Sequence, residues 1–340
     1  MSVPESLPLS NASVDHPHLQ RAFEKILEAI ASRDTRQTAL VIGPTGVGKT
    51  HLANRVILGL QRQFHAEMLA DPQCMPVVRV SIPMNTDRGF SWANYYEEAL
   101  RALGDPFPSF RNVNDARRKI AEAIAARRVR VVLVDELHHV LYLGTRASAK
   151  RQSEVLKSLA EKTGVKHIGF GTYDLIQLLR ANGQLSRRTE VIHFDRYASA
   201  PDDMRDFAQI LAVLDDQLSG LLSFRLVAEI DYLHQGCVGL IGVLRDWLVR
   251  AAVNSRRENE SIISKEALAE TVLPVQDRMV ILNEALEGEA SLTDTDEDLD
   301  CYQRLLRSDF SCRPNRPTEP SRPKRRMGEP IAKRGSLCNA

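Results

Sequence analysis

The residues best suited to chemistry lie between Thr38 and Thr50, in the sequence TALVIGPTGVGKT. From Gly43 to Thr50 the chain fits the phosphate-loop pattern G-x-x-x-x-G-K-[ST] at every required position. Glycines let such a loop turn tightly, so that consecutive backbone N–H groups point at one anion. The lysine neutralises the β- and γ-phosphates of a nucleotide, and the hydroxyl after it ligates Mg²⁺. The predicted nucleotide-binding residues are Gly43, Pro44, Thr45, Gly46, Val47, Gly48, Lys49, Thr50 and His51.

Two adjacent acids, Asp135 and Glu136, follow a second apolar segment, the β-branched run Val129–Val134. Such a run is typical of a strand that is buried on both faces. Asp135 at its end is predicted to share the Mg²⁺ shell with Thr50, and Glu136 suits a base that polarises water for attack on the γ-phosphate. Adjacent acids also fit a solvated strand end, but their pairing with a phosphate loop favours the catalytic interpretation. No N-K-x-D guanine signature is present, so ATP is favoured over GTP.

The elements that must position these residues alternate along the chain. Apolar patterns predict strands at residues 39–42, 76–83, 129–134, 166–171 and 190–194. Helical patterns fall between or beside them, at residues 18–32, 51–64, 91–104, 113–128, 150–163 and 173–181. Strands alternating with helices indicate βαβ units and a parallel sheet between two helical layers.

After Pro201 the strand patterns stop, and four helical patterns follow at residues 203–217, 222–235, 239–254 and 264–271. The predicted organisation is therefore a flexible arm at 1–15, an α/β core at 16–200, a helical lid at 201–275 and a tail at 276–340. The tail is acidic first and then basic, a composition that predicts partial disorder.

Bulk composition excludes several classes of protein. The net charge is +1 with 43% hydrophobic and 26% charged residues, so any attraction to nucleic acid must come from local patches. The five cysteines are scattered without a C-x-x-C pair, which argues against a disulfide framework or a zinc site and fits a reducing cytoplasm. No signal peptide is recognised, and no apolar run approaches the ~20 residues that span a bilayer. We therefore expect a cytoplasmic protein with no membrane partner.

The motifs occur in an ordered set: VIGPTGVGKT, PVVRVSIPMN, YYEEALRALGDPF, VDELHHV, GFGTYDL, QLSRRTEVIHF and GLIGVLRDWLVRAA, spread over about residues 16–255. A phosphate loop, an Asp-Glu strand end, Gly-Thr after the next strand and Arg-Arg before the last one resemble an AAA+ ATPase. The ordered set resembles more narrowly the TniB/TnsC family, the ATP-dependent regulators of multi-subunit DNA transposons. The resemblance implies an α/β AAA+ P-loop NTPase with a three-layer parallel sheet core and a small helical lid, using ATP and Mg²⁺.

By position, the resemblance implies that Thr172 is the sensor 1 residue near the γ-phosphate. It also implies that Arg187 or Arg188 is an arginine finger that enters the site of a neighbouring subunit. The chain departs from many AAA+ relatives at sensor 2, because Gly242 stands where they carry an arginine and Arg245 comes nearly one turn later. Arg245 fits a phosphate contact and a surface role about equally.

Contacts with DNA are harder to predict, since duplex DNA is met by Lys, Arg and backbone donors that also populate ordinary surfaces. The densest basic run of the core lies between residues 117 and 130, and such a run is commonly a solvated helix face. The candidate DNA-binding residues are Arg79, Arg88, Arg117, Lys119 and Lys150.

The leading hypothesis is an ATP-dependent regulator that assembles as a homo-oligomeric ring or helical filament on duplex DNA. The resemblance implies that it links a TniQ-type target-selection protein to transposase subunits and is disassembled by ATP hydrolysis. One alternative is a STAND-like nucleotide-switched signalling ATPase, which would need a longer effector region than the residues after 275 provide. Another is an initiator or clamp-loader type of AAA+ DNA ATPase, which would normally carry an intact sensor 2 arginine and a further DNA-binding or collar domain.

Overall fold

The structure is a computed structural model that describes residues 14–32, 37–82, 90–141, 146–258, 260 and 262–308. It contains one five-stranded sheet, in the order β2-β3-β4-β1-β5. The strands are β1 (Thr38–Ile42), β2 (Val77–Ser81), β3 (Val131–Asp135), β4 (Lys166–Gly171) and β5 (Thr189–His193). All four pairings between neighbours are parallel.

This strand order brings the sequence motifs to one edge of the sheet. The strand that precedes the phosphate loop, β1, lies next to β4, and β4 separates it from β3, which ends in Asp135. Because all strands run the same way, their carboxyl ends form one crevice, where ligands bind in open α/β sheets. The loop after β4 therefore lies between the phosphate loop and the acidic pair.

Helices cover both faces of the sheet and continue beyond it. They are α1 (Pro17–Ala31), α2 (Lys49–Gln63), α3 (His65–Ala70), α4 (Trp92–Ala102), α5 (Val113–Ala126), α6 (Arg146–Thr163), α7 (Ile176–Ala181), α8 (Gly183–Arg188), α9 (Pro201–Gln217), α10 (Ile230–Cys237), α11 (Ile241–Arg257), α12 (Lys265–Thr271), α13 (Val275–Ala290) and α14 (Asp296–Leu306). Short 3-10 turns occupy Leu137–Leu141, Tyr173–Leu175 and Leu226–Glu229. Within the described residues, none of the helices combines the length and apolar character that crossing a membrane requires.

Two apolar cores correspond to the predicted core and lid. The first lies between the sheet and helices α1 and α2, around fully buried residues such as Ile26, Leu52 and Phe170. The second fills the interior of α9–α12 around Phe207 and Trp247. Burial of a large apolar side chain stabilises a fold by about 1.5–3 kcal/mol, so each core supports its own set of helices.

The predicted strands and helices are present, most of them with end points that differ by a few residues. The helix predicted at 222–235 is shorter: a 3-10 turn occupies Leu226–Glu229, and α10 begins at Ile230. The predicted α/β core with a parallel sheet, and the helical lid that follows it, are both present. The short helices α3 and α8 were not predicted, because six-residue segments carry too little periodic pattern to be recognised.

Part of the predicted tail is helical. The structure separates a unit of residues 1–291 from a second unit of residues 292–340. Helix α13 belongs to the first unit, where its Gly288 lies against the Tyr173 ring and Glu289 pairs with Arg196 at 2.9 Å. In the second unit, α14 begins with a capping box formed by Thr295 and Asp298. The basic segment at 322–326 lies outside the described residues.

A buried histidine cluster joins the core to the lid. His18 of α1 lies 3.1 Å from the Asp195 carboxylate, which follows β5, and 3.3 Å from that of Asp203 on lid helix α9. Its ring stacks on Tyr197 with centroids 3.9 Å apart. Burial alone would lower the pKa of His18, but the hydrogen bonds and the charge of Asp195 outweigh burial and raise it. The cluster thus places an imidazole with a raised pKa between two carboxylates at the boundary between core and lid.

We expect His18→Gln to lower the free energy of unfolding by about 1–3 kcal/mol, because buried partners lose a charged hydrogen-bond donor. The loss should be larger at about pH 5.5 than at about pH 8.5. The folded-state pKa of His18 is raised, so its contribution is fully present below the unfolded pKa and is lost as pH rises through the folded pKa. Urea unfolding followed by circular dichroism at both pH values measures the difference.

His16 provides a matched control with the opposite sign. It is buried and accepts or donates a hydrogen bond at 2.8 Å to the Tyr197 hydroxyl, and burial lowers its pKa to about 3. Because His16 stays neutral when folded but gains a proton when unfolded in acid, the cost of His16→Gln should shrink at the lower pH. Equal costs for His18→Gln at the two pH values would contradict the assigned ion pair.

Candidate nucleotide-binding site

The phosphate loop connects β1 to α2 through two glycines with positive φ. Gly46 has φ +82° and Gly48, which precedes the first residue of α2, has φ +111°. Both values lie where glycine is favoured over other residues, so the spacing seen in the sequence reflects a backbone requirement. The first turn of α2 directs its free N–H groups into the loop, an arrangement that favours a phosphate. Val47 is buried beneath the loop, whereas Thr45 and Thr50 are exposed.

Lys49 lies beneath the loop, where Nζ donates hydrogen bonds to the carbonyls of Gly43 at 2.9 Å and Pro44 at 2.8 Å. Burial lowers the pKa of the amine to about 8, while the negative charges of Glu136 and Asp135 act in the opposite direction. The amine therefore faces both acids. This arrangement brings together three residues that the sequence predicted as one site.

The side chain of Asp135 is hydrogen-bonded to the backbone of Glu136. The Oδ1 atom of Asp135 accepts a hydrogen bond of 3.0 Å from the Glu136 backbone N–H. Glu136 has φ +54°, a left-handed conformation that costs a residue with a side chain roughly 1–2 kcal/mol. Such strain persists only where the surroundings impose it, and it clusters at functional sites. The carboxylate of Asp135 and the exposed hydroxyl of Thr50 are hard oxygen donors, the type that Mg²⁺ prefers.

Two histidines follow the acids in a 3-10 turn. His138 Nε2 lies 3.4 Å from the Glu136 carboxylate, and His139 Nδ1 lies 3.1 Å from the Ile82 carbonyl. Burial lowers the pKa of His138 to about 4, and the charges of His139 and Lys49 contribute, so His138 is neutral at pH 7. Among the described residues, Glu136, His138 and His139 have ligand atoms within 4.8 Å of one another. Two imidazoles and a carboxylate suit Zn²⁺ better than Mg²⁺.

The residues implied by the family resemblance have different surroundings. Thr172 follows β4 directly, between the phosphate loop and the acids, and its hydroxyl donates to Asp174 at 3.3 Å. Arg188 pairs with Glu161 on α6. Arg187 is exposed, and within the described part of the chain its side chain has no hydrogen bond or ion pair. The two neighbouring arginines therefore differ in availability, which the sequence did not reveal.

The lid contacts the phosphate loop through its backbone. The N–H of Gly242, in the first turn of α11, donates to the Gly46 carbonyl at 2.9 Å. A Cβ added at Gly242 would lie 2.4 Å from that carbonyl oxygen, so no larger residue fits without movement. Arg245 is exposed on the same helix, and its guanidinium binds the carboxylate of the adjacent Asp246. At the position where many AAA+ relatives are expected to carry an arginine, this lid contacts the phosphate loop through the backbone of Gly242.

His51, which the sequence assigned to the nucleotide site, lies on α2 beside charges from its own helix and from two other parts of the chain. Burial lowers its pKa; Asp15 opposes this shift, and Arg55 and Arg245 reinforce it. The arm residue Asp15, the loop helix and the lid helix α11 therefore approach one another at His51.

Most of the predicted DNA contacts that the structure describes are engaged within the protein. Arg117 donates to the Tyr96 hydroxyl at 2.9 Å, and the Lys119 amine donates to the Ser109 carbonyl. Arg79 pairs with Asp135 instead of facing an open surface. Lys150 is exposed on α6, next to the exposed Arg151, which the sequence interpretation did not single out. Arg88 lies outside the described residues.

Solved structures share this fold. The Aeropyrum pernix ORC1 protein in complex with DNA is 16% identical, with coverage of 89% of this chain and 76% of that one and a TM-score of 0.52. The Aeropyrum pernix ORC2 protein in its ADP form is 14% identical, with coverage of 77% and 70% and a TM-score of 0.54. Cdc6p from Pyrobaculum aerophilum is 15% identical, with coverage of 80% and 73% and a TM-score of 0.51.

Fold and site together define the class: the chain has the fold of AAA+ P-loop proteins, with the phosphate loop and the acidic pair at one edge of the sheet. A comparison with curated proteins finds no match. The family described as "Bacterial TniB protein" matches residues 11–199, which is more than half of the chain. The chain therefore belongs to the TniB family, and the family predicted from the ordered motifs is confirmed.

We expect Gly242→Ala to weaken nucleotide binding roughly tenfold, because an added methyl group pushes the lid helix from the phosphate loop at a cost of about 1–3 kcal/mol. Titration with a fluorescent ATP analogue measures the change. Gly183→Ala is the matched control, since nothing lies within 4 Å of a Cβ built there. Unchanged affinity in Gly242→Ala would show that the contact between lid and loop does not contribute to nucleotide binding.

Proposed function

We propose that the protein is an ATP-dependent, DNA-binding regulator of transposition that assembles on target duplex DNA. Membership of the TniB family is the observation that carries this proposal, and the assembled phosphate loop and acidic pair support it. The oligomer, a ring or a helical filament, would link a TniQ-type target-selection protein to the transposase and would be disassembled when ATP is hydrolysed. Such an assembly would act in the cytoplasm.

Each residue of the site has a distinct task in hydrolysis. The loop N–H groups and Lys49 bind the phosphates, and Thr172 orients the γ-phosphate from the loop after β4. Mg²⁺, when bound by Thr50 and Asp135, supplies positive charge against the charge developing on the phosphates. Glu136 accepts the proton of the attacking water. Its carboxylate is half-exposed and therefore reachable by solvent.

The position of the arginine pair supports action between subunits. Arg187 and Arg188 precede β5, whereas Glu136 follows β3, and two strands separate β5 from β3. With strands ~4.8 Å apart and ~3.3 Å of rise per residue, the two places are roughly 20 Å apart within one chain. An arginine side chain does not cover that distance. A finger from this pair would therefore act in a neighbouring subunit, and the exposed Arg187 is the better candidate of the two.

DNA binding is the part of the proposal with the least local support. The ORC1 protein of Aeropyrum pernix was solved in complex with DNA, but a shared fold does not transfer a binding surface. Lys150 and Arg151 lie in the first part of α6, which follows the acidic pair and its 3-10 turn along the chain. Exposed cations on the helix that follows the acidic pair would couple phosphate contacts on DNA to hydrolysis. We include both in the proposed DNA surface.

Electron microscopy with ATP, with and without duplex DNA, tests the assembly. We expect wild type to form DNA-dependent oligomers and Glu136→Gln to form the same oligomers but to hold them longer, because ATP is bound and not hydrolysed. Lys49→Ala is the control that should lose nucleotide-dependent assembly. Monomers of wild type under both conditions would refute the proposed function.

Arg187→Ala should lower DNA-stimulated ATP hydrolysis by about 10³, the size expected for loss of an arginine finger. Arg188→Ala is the matched control and should retain most activity, since Arg188 is engaged with Glu161. Mixing Arg187→Ala with Glu136→Gln should restore part of the activity. In mixed oligomers, a site with an intact Glu136 can receive an intact Arg187 from its neighbour. Failure of the mixture to recover activity would argue against a finger acting between subunits.

A further inference from the structure

Arg79 of β2 bridges the two halves of the nucleotide site. Its Nη1 atom donates to the Asn54 amide oxygen on α2 at 2.7 Å, and Nη2 binds Oδ2 of Asp135 at the end of β3. The Asp135 side chain is only 5% exposed and that of Arg79 27%. The guanidinium therefore joins the helix that follows the phosphate loop to the carboxylate expected to serve the cation.

Strand register explains how these residues meet. Arg79 is the parallel partner of Leu133, and Ser81 is the partner of Asp135. Side chains alternate between the faces of a strand, so Arg79 is on the same face as Asp135 but two residues behind it. Only a long side chain reaches forward to the carboxylate from that position. The planar guanidinium has enough donors to bind Asn54 at the same time.

Both oxygens of the Asp135 carboxylate accept a hydrogen bond within the protein. Oδ1 of Asp135 accepts from the Glu136 N–H, and Oδ2 accepts from Arg79. A buried carboxylate requires a compensating positive charge, and the guanidinium supplies it. A divalent cation at the same carboxylate would meet this fixed positive charge a few ångströms away. Arg79 and the cation therefore compete for the negative charge of the same carboxylate.

We propose that Arg79 is a positioning residue that holds Asp135 through this bridge and sets the Mg²⁺ concentration that the nucleotide site requires. The inference rests on the proposed Mg²⁺–ATP site and deepens it. Arg79 holds the Asp135 carboxylate in place and neutralises its charge. Mg²⁺ must therefore compete with Arg79 to bind Asp135.

The test is a titration of Mg²⁺ against binding of a fluorescent ATP analogue, with no turnover required. Arg79→Gln removes the charge and should lower the Mg²⁺ concentration at half-saturation by roughly fivefold or more. Arg79→Lys keeps the charge and should stay near wild type. Arg130→Gln is the matched control: it removes an arginine whose ion pair with Glu67, at 3.4 Å, lies on the surface. Affinity for the analogue without Mg²⁺ is measured for each of the four proteins and serves as the baseline for its Mg²⁺ titration.

Asn54→Ala provides a second variant if Arg79→Gln does not fold. It removes the tether but leaves the charge, so the half-saturating Mg²⁺ concentration should fall in the same direction by a smaller factor. An unchanged or raised Mg²⁺ requirement in Arg79→Gln, or in Asn54→Ala where that variant carries the test, would overturn the inference. If wild type itself binds the analogue without any response to Mg²⁺, the proposed Mg²⁺–ATP site fails and the role of Arg79 fails with it.

Discussion

One backbone hydrogen bond, from the Gly242 N–H to the Gly46 carbonyl, joins the lid to the phosphate loop. The contact leaves no room for a side chain at position 242, so the first turn of α11 must remain against the loop for as long as the bond persists. The same lid also contacts α13, where Arg278 donates to the Gln235 carbonyl at 3.3 Å. Helix α13 in turn covers Tyr173, next to Thr172. The phosphate loop, the lid and α13 are therefore linked by contacts that run around the site.

Much of the site could be predicted because its signals are local. The phosphate loop needs glycines at positive φ at Gly46 and Gly48, and a backbone requirement of this kind is visible in any single sequence. The roles of Asp135 and Glu136 could also be predicted from a local signal, because a pair of acidic residues directly after a buried apolar run marks the end of a strand. The strands themselves were predicted from their β-branched runs, and the structure moves their ends by only a few residues.

The features that the sequence did not reveal depend on contacts between residues that are far apart along the chain. The order of the strands follows from which edges meet in the folded sheet, and no local pattern encodes that choice. Arg79 was one of several basic residues named as candidate DNA contacts; its partner, Asp135, lies 56 residues away along the chain. Helix α13 was assigned to a tail because its acidic composition outweighed a weak apolar pattern, in which Ala285 is buried and Ile281 packs against the core.

The charges of the site converge on Asp135. Its carboxylate fixes the strained backbone of Glu136 through Oδ1, receives Arg79 at Oδ2, and acts together with Glu136 on the buried amine of Lys49. A cation that draws on this carboxylate therefore changes the surroundings of the base, the bridge to α2 and the lysine at the same time. Arg79 is bound to Asp135 and Asn54, and Arg187 precedes β5 at the other end of the strands, so in the proposed assembly positive charge beyond that of Lys49 would come with the cation or from a neighbouring subunit. In the proposed assembly a neighbouring subunit would supply this charge, so we expect hydrolysis to be faster in the oligomer than in an isolated subunit.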